Sequence, residues 1–193
     1  MKDVIRRIIN DSIEAKQALV TPEQVGMIEK IASRMVDTYR AGGKVVAFGN
    51  GGSASDAQHL VAELVCRFEV NRRALPAIAF TANSSVVTSI GNDFSYNDIF
   101  KRQVEALVLP GDMVIGITTS GKSPNVISAF KQARLQKAST VAFTGANGAG
   151  LQQETDICWC VPSKVTGRIQ ECHILAVHII CKLVEDTLFG QKQ

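Results

Sequence analysis

Apolar residues recur along this chain with two different periods, and the change from one to the other divides it. Over residues 3–18, Val4, Ile5, Ile8, Ile9 and Ile13 fall at helical spacing and predict an amphipathic helix. A second helix is predicted from Thr21-Pro22-Glu23-Gln24, a capping residue followed by Pro at the first helical position, through Tyr39 to the stop at Ala41-Gly42-Gly43. Beyond it, Val45–Phe48, Ala77–Phe80, Met113–Thr118, Thr140–Phe143 and Ile157–Val161 are almost continuously apolar, as strands buried on both faces must be. Helical patterns fill the gaps at 53–68, 84–91, 97–108, 124–136 and 168–188. The alternation predicts an α/β fold, a three-layer α-β-α sandwich with a five-stranded parallel sheet, as one domain over 1–193. Residues 1–40 supply helices that pack on the sheet or at a subunit interface, and 41–193 form the α/β core.

In such a sheet, ligands bind in the loops at the carboxyl ends of the strands. The first of these loops is Gly49-Asn50-Gly51-Gly52-Ser53, where glycines permit close backbone approach and the next helix directs free N–H groups at whatever sits there. Its spacing fits neither a dinucleotide fingerprint nor a Walker A loop. The second, Thr118-Thr119-Ser120-Gly121-Lys122-Ser123-Pro124-Asn125, sets four hydroxyls around a glycine ahead of a Pro-initiated helix. One Ser would suffice as a cap; four hydroxyls and helix amides predict a phosphate site built of neutral donors. The two loops match as strand, Gly/Ser loop and helix, which suggests a sugar phosphate lying across both.

His59 and Glu63 are four residues apart, hence on one helix face, where they can share a metal or move a proton. On the last predicted helix, helical phase puts His173 about 60° to one side of Gln170 and His178 about 80° to the other. Spacing therefore does not choose between the two histidines, although the apolar neighbours of His178 (Ala176, Val177, Ile179, Ile180) favour a core position for it.

Composition narrows the field. Net charge is +3 with Lys and Arg scattered, which argues against a nucleic-acid partner, and Arg67, Arg72 and Arg73, the nearest approach to a basic cluster, read as solvated surface. No run approaches the ~20 apolar residues of a spanning helix, and the charged N-terminus lacks a signal-peptide core, so no membrane partner is expected. Five cysteines without framework spacing fit the reducing cytoplasm. Cys158-Trp159-Cys160 would point both thiols to one side of a strand, and buried packing is the expected role for them.

Taken together, "GNGGSASDAQHLVAEL", "GNDF", "TTSGKSPNVISAF" and "RIQECHILAVH" resemble the sugar-isomerase (SIS) domain family and, within it, the phosphoheptose isomerases, over essentially the whole chain. The resemblance implies conversion of sedoheptulose 7-phosphate to D-glycero-D-manno-heptose 7-phosphate through an enediol, in heptose biosynthesis for lipopolysaccharide or surface glycan. It implies phosphate binding by Thr118, Thr119, Ser120 and Ser123, and sugar binding by Asn50, Gly51, Gly52, Ser53, Asn92, Asp93, Glu63 and Gln170. It further implies a catalytic pair, Glu63 and His178, zinc (Zn2+) held by His59, Glu63, Gln170 and His178, and a homotetramer. Here the resemblance selects His178 over His173. It leaves Glu63 with two roles, base and metal ligand. The same fold also serves a DiaA-like adaptor that binds the replication initiator DnaA, but that relative lacks counterparts of Glu63 and His178, and both are present here.

Overall fold

The computed structural model describes residues 1–146 and 148–190; Asn147 and 191–193, which the single-domain expectation included, lie outside the described residues. Five parallel strands, β1 (Val45–Gly49), β2 (Ala77–Ala79), β3 (Met113–Thr118), β4 (Ser139–Gly145) and β5 (Ile157–Val161), stand in the order β2-β1-β3-β4-β5. Successive side chains along a strand point to opposite faces, so each strand feeds two cores. Val45 and Ala47 of β1 join Ile115, Phe143 and Trp159 beneath α2 (Pro22–Arg40), α3 (Gly52–Val65) and α7 (Thr166–Phe189). Val46 and Phe48 join Phe80, Phe100 and Phe130 beneath α4 (Ser84–Asp93), α5 (Lys101–Leu107) and α6 (Pro124–Leu135). On that face Phe48 stacks on Phe100 with ring centroids 4.8 Å apart. The sandwich and its five-stranded parallel sheet are as the apolar pattern predicts.

Two elements depart from the pattern. The helix predicted over 53–68 ends at Val65, because the carboxylate of Glu185, on α7, accepts hydrogen bonds from the amides of Phe68, Glu69 and Val70 at 3.2, 2.6 and 3.0 Å. The helix predicted over 97–108 is divided into a 3₁₀ turn, Tyr96–Asp98, whose entry is capped by the Ser95 hydroxyl, and α5. A further 3₁₀ segment, Gly148–Gln153, has no counterpart in the apolar periodicity.

The N-terminal helices behave differently from each other. Helix α2 buries Ile28, Ile31, Met35 and Tyr39 against the sheet layer. Helix α1 (Lys2–Gln17) has no fully buried residue; Ala15 packs half-buried against the core, and polar contacts join the helix to α7, Ser12 donating to Glu171 at 2.6 Å and Arg168 donating to the Ile8 carbonyl at 2.6 Å. Its stripe of Val4, Ile5, Ile8, Ile9 and Ile13 is exposed.

Candidate active site

The strand order reverses direction between β1 and β3, and the crevice at such a reversal is where an open parallel sheet binds its ligand. The two Gly/Ser loops leave the adjacent ends of those strands. Gly51 and Gly121 carry φ of +56° and +68°, values that only glycine adopts without strain. The side chains of Asn50 and Asn125 join the loops through two reciprocal amide bonds, each 2.9 Å, and the Tyr96 hydroxyl donates to the Asn50 carbonyl oxygen at 3.2 Å. Asn125 is buried, and its oxygen also accepts the amide of Val126.

Both following helices begin without a side-chain cap. Helices α2 and α4, by contrast, are capped by Thr21 and Asn83. The Ser123 hydroxyl, at the capping position of α6, turns instead to Thr118 at 2.9 Å. Two helix N-termini with positive dipole ends and no side-chain cap thus lie on neighbouring strands, an arrangement suited to an anion. Thr118 is buried, Thr119 half-buried and Ser120 exposed, and the Ser120 oxygen accepts the amide of Lys122 at 3.2 Å.

The second half of the site lies between α3 and α7. His59 Nε2 stands 3.1 Å from Glu63 Oε1 and 3.1 Å from His178 Nε2, and one donor atom from each residue falls within 4.8 Å of the others. Phe68 stacks on His178 with centroids 5.7 Å apart, and the segment that carries it is the one fastened by Glu185. Arg72 completes that clamp, donating Nε to Glu185 at 2.9 Å and its terminal nitrogens to the carbonyls of Glu63, Leu64 and Arg73. Burial pushes the Glu185 carboxyl up, but the three amides and the Arg72 guanidinium outweigh it and hold the pKa below the ordinary value. Arg67 and Arg73 are exposed as expected, whereas the Arg72 side chain is only 2% exposed, because a buried carboxylate needs a buried cation.

Two imidazole nitrogens 3.1 Å apart repel unless a proton or a cation lies between them. With the Glu63 oxygen at the same point, two neutral imidazoles and a carboxylate form a donor set suited to zinc. These residues fit a divalent metal.

His173 goes the other way. It is fully buried between Phe143 and Trp159, its Nε2 lies 3.2 Å from the Thr144 carbonyl, and burial lowers its pKa to about 4. The core position that its neighbours favour for His178 thus belongs to His173, and His178, half-buried, faces His59. Gln170 lies beside Gly52, where an added Cβ would collide with its side-chain amide. Gly52 and His59 are seven residues apart on α3, roughly 10 Å along the axis. Gln170 is therefore at the loop end of the site. Asn92 and Asp93 are exposed at the end of α4, the Asn92 amide donating to Asp93 at 2.7 Å.

Asn125, Tyr96, Phe68, Arg72 and Glu185 were not anticipated as supports of the site. For Asn125 a signal existed, since Asn50 and Asn125 occupy the two loops already matched to each other. For Glu185, 113 residues from Arg72, none did.

The fold, the two open helix ends and the histidine–carboxylate cluster define a sugar-phosphate-isomerase type of domain, and a SIS domain model matches residues 10–145. The chain belongs to the SIS domain family. Within it, the chain falls among the phosphoheptose isomerases. It is 53% identical over 183 residues to the phosphoheptose isomerase of Roseiflexus sp. (strain RS-1), covering 95% of this chain and 92% of that protein. Identity to the phosphoheptose isomerase of Aquifex aeolicus (strain VF5) is 48% over 186 residues, 96% of this chain and 97% of that protein. The structure of a phosphoheptose isomerase from Francisella tularensis superposes with a TM-score of 0.90 at 38% identity, covering 95% and 97% of the two chains.

Proposed function

We propose that this chain interconverts sedoheptulose 7-phosphate and D-glycero-D-manno-heptose 7-phosphate, a ketose–aldose isomerisation within heptose biosynthesis. The convergence of His59, Glu63 and His178 on one point carries the reading. The substrate phosphate binds the amides at the starts of α3 and α6 and the hydroxyls of Thr118, Thr119, Ser120 and Ser123. Asn50, Gly51, Gly52, Ser53, Asn92, Asp93 and Gln170 serve the sugar chain between phosphate and carbonyl.

Glu63 takes the proton from C1 of the ketose and returns it to C2 of the enediol. His178 gives a proton to O2 as the carbonyl is consumed and takes one from O1 as the aldehyde forms, so the exchange balances. A carboxylate has two oxygens, and one can ligate while the other moves the proton, which reconciles the two roles of Glu63. Zinc bound at His59, Glu63 and His178 would polarise the substrate oxygens and stabilise the developing enediolate. Gln170 serves the sugar at the loop end of the site and is carried over from the resemblance as the fourth zinc ligand.

The proposed assembly is a homotetramer in the cytoplasm. Its motive is the exposed stripe of α1 together with an apolar groove of about 490 Å³ lined by Leu19, Val20, Val25, Ile28, Leu175 and Ile179. All five cysteines are free, as a reducing compartment requires. No helix among the described residues is long and apolar enough to cross a membrane.

The test is NMR observation of sedoheptulose 7-phosphate incubated with the protein as purified, after chelation, and after zinc is restored. Heptose 7-phosphate should form, slow on chelation and recover with zinc. A folded protein that converts nothing with zinc present refutes the activity, and unchanged turnover after complete metal removal refutes the metal.

A further inference from the structure

Strand β5 ends the sheet, and its sequence alternates Ile157, Trp159 and Val161 into one core with Cys158 and Cys160 on the opposite face. Both thiols are half-exposed, against the expectation of buried packing, because an edge strand has no further strand beyond it and its outer face is only partly covered. Their Sγ atoms stand 3.8 Å apart. We propose that Cys158 and Cys160 form a binding site for a thiophilic, tetrahedral divalent cation of the zinc and cadmium type. It lies on the face of the sheet opposite the His59–Glu63–His178 cluster and is chemically distinct from it.

The spacing is the argument. Two thiolates on a tetrahedral zinc, each at about 2.3 Å, stand about 3.8 Å from each other. The pair therefore presents the bite of the chelate without rearrangement. A disulfide is the poorer use of the same atoms. It requires sulfurs at ~2.05 Å, and alternate residues of a strand, near ~6.6 Å between Cα atoms, sit at the far end of the range a disulfide spans, well beyond its usual ~5.5–6 Å.

The scaffold also holds the bite. Cys158 and Cys160 are in register with Ala142 and Thr144 of β4, and Trp159 between them is fully buried, edge-on to Phe143. The Trp159 indole donates to Gln24 at 2.7 Å, and Gln24 in turn donates to the Cys160 carbonyl at 3.3 Å. The hydrogen bond from Cys158 lowers the pKa of the Cys160 thiol to about 7 and raises that of Cys158. Two protein ligands leave two positions to water, so the bound ion is exchangeable.

Cobalt(II) is the probe. Nitrogen and oxygen ligands give no sulfur-to-cobalt charge-transfer band, so the band reports this site and not the histidine cluster. Titrating the full chain should produce the band, cadmium should remove it, and the Cys158→Ser/Cys160→Ser variant should lack it. Absence of the band in the wild type overturns the proposal, as does its persistence in the double variant. A second measurement needs no variant: alkylation by iodoacetamide with and without cadmium, mapped by mass. The segment between Lys137 and Lys164 contains no cysteine other than these two. Cadmium should protect that segment while exposed Cys66 still reacts, and equal labelling of the segment with and without cadmium overturns the proposal.

Discussion

Glu185→Gln removes a charge and almost no volume, which makes it the sharpest probe of the clamp behind the site. The wild-type carboxylate, 1% exposed, accepts from three backbone amides and from Arg72, whose side chain is 2% exposed. The variant keeps one acceptor oxygen and turns an NH2 group toward those donors. Removing one partner of a buried ion pair costs about 3–5 kcal/mol, because the remaining charge is left without compensation. An unsatisfied buried amide adds about 1–3 kcal/mol. A total of roughly 4–8 kcal/mol is a large part of the ~5–15 kcal/mol that holds a domain together. With a urea slope of about 2 kcal/mol/M, the midpoint should fall by roughly 2–4 M.

Urea unfolding at fixed protein concentration measures it, since assembly otherwise shifts the midpoint. Arg72→Met should be strongly destabilising too, and the double variant should cost clearly less than the sum of the singles. The pKa of Glu185 is depressed in the fold, so its contribution is present above the ordinary carboxylate range and lost as pH falls through the folded value. The wild-type advantage should therefore shrink on acidification. A Glu185→Gln midpoint within about 1 kcal/mol of wild type, or strict additivity with Arg72→Met, would refute the clamp.

Glu63→Gln should abolish turnover while sugar-phosphate affinity by calorimetry changes little, and near-normal turnover would end the assignment of Glu63 as base. Gly52→Ala should push the Gln170 amide aside, leaving thermal stability nearly unchanged while KM rises roughly tenfold, the equivalent of about one lost hydrogen bond; an unaltered KM would remove Gln170 from the sugar site. His173 titrates at about 4 in the fold and near ~6.5 unfolded, so protons bind the unfolded chain first. Between about pH 7 and 4 the wild type should lose about 3 kcal/mol relative to His173→Phe, and parallel stability–pH curves for the two proteins would contradict a neutral buried imidazole.

The layering of the fold was written in the apolar runs because each of β1, β3 and β4 is buried on both faces, and burial on two faces leaves no polar alternation to confuse with a helix. Both Gly/Ser loops were legible for a related reason: glycines and hydroxyls between an apolar run and a helix act locally. Choosing between His173 and His178 was not a local matter. Their neighbours on α7 are almost equally apolar, and what separates them is whether Phe143 and Trp159 or His59 lies opposite. The end of α3 escaped the pattern likewise. Its amphipathic spacing continues through Phe68, but a carboxylate more than a hundred residues away offered the next amides better acceptors.

The Asn50–Asn125 bridge is held by two neutral amides, and that neutrality has a consequence for the ligand. An Asp at either position would place a negative charge between two helix ends and cancel much of the field an anion feels there. With amides, the loops are braced at no electrostatic cost, and the proposed phosphate meets dipoles and hydroxyls rather than an exposed cluster of lysines and arginines. Debye screening weakens attraction between exposed charges far more than short hydrogen bonds inside a crevice. Affinity for the phosphate should therefore vary little with ionic strength, and the enzyme should keep its grip on substrate as the salt around it rises.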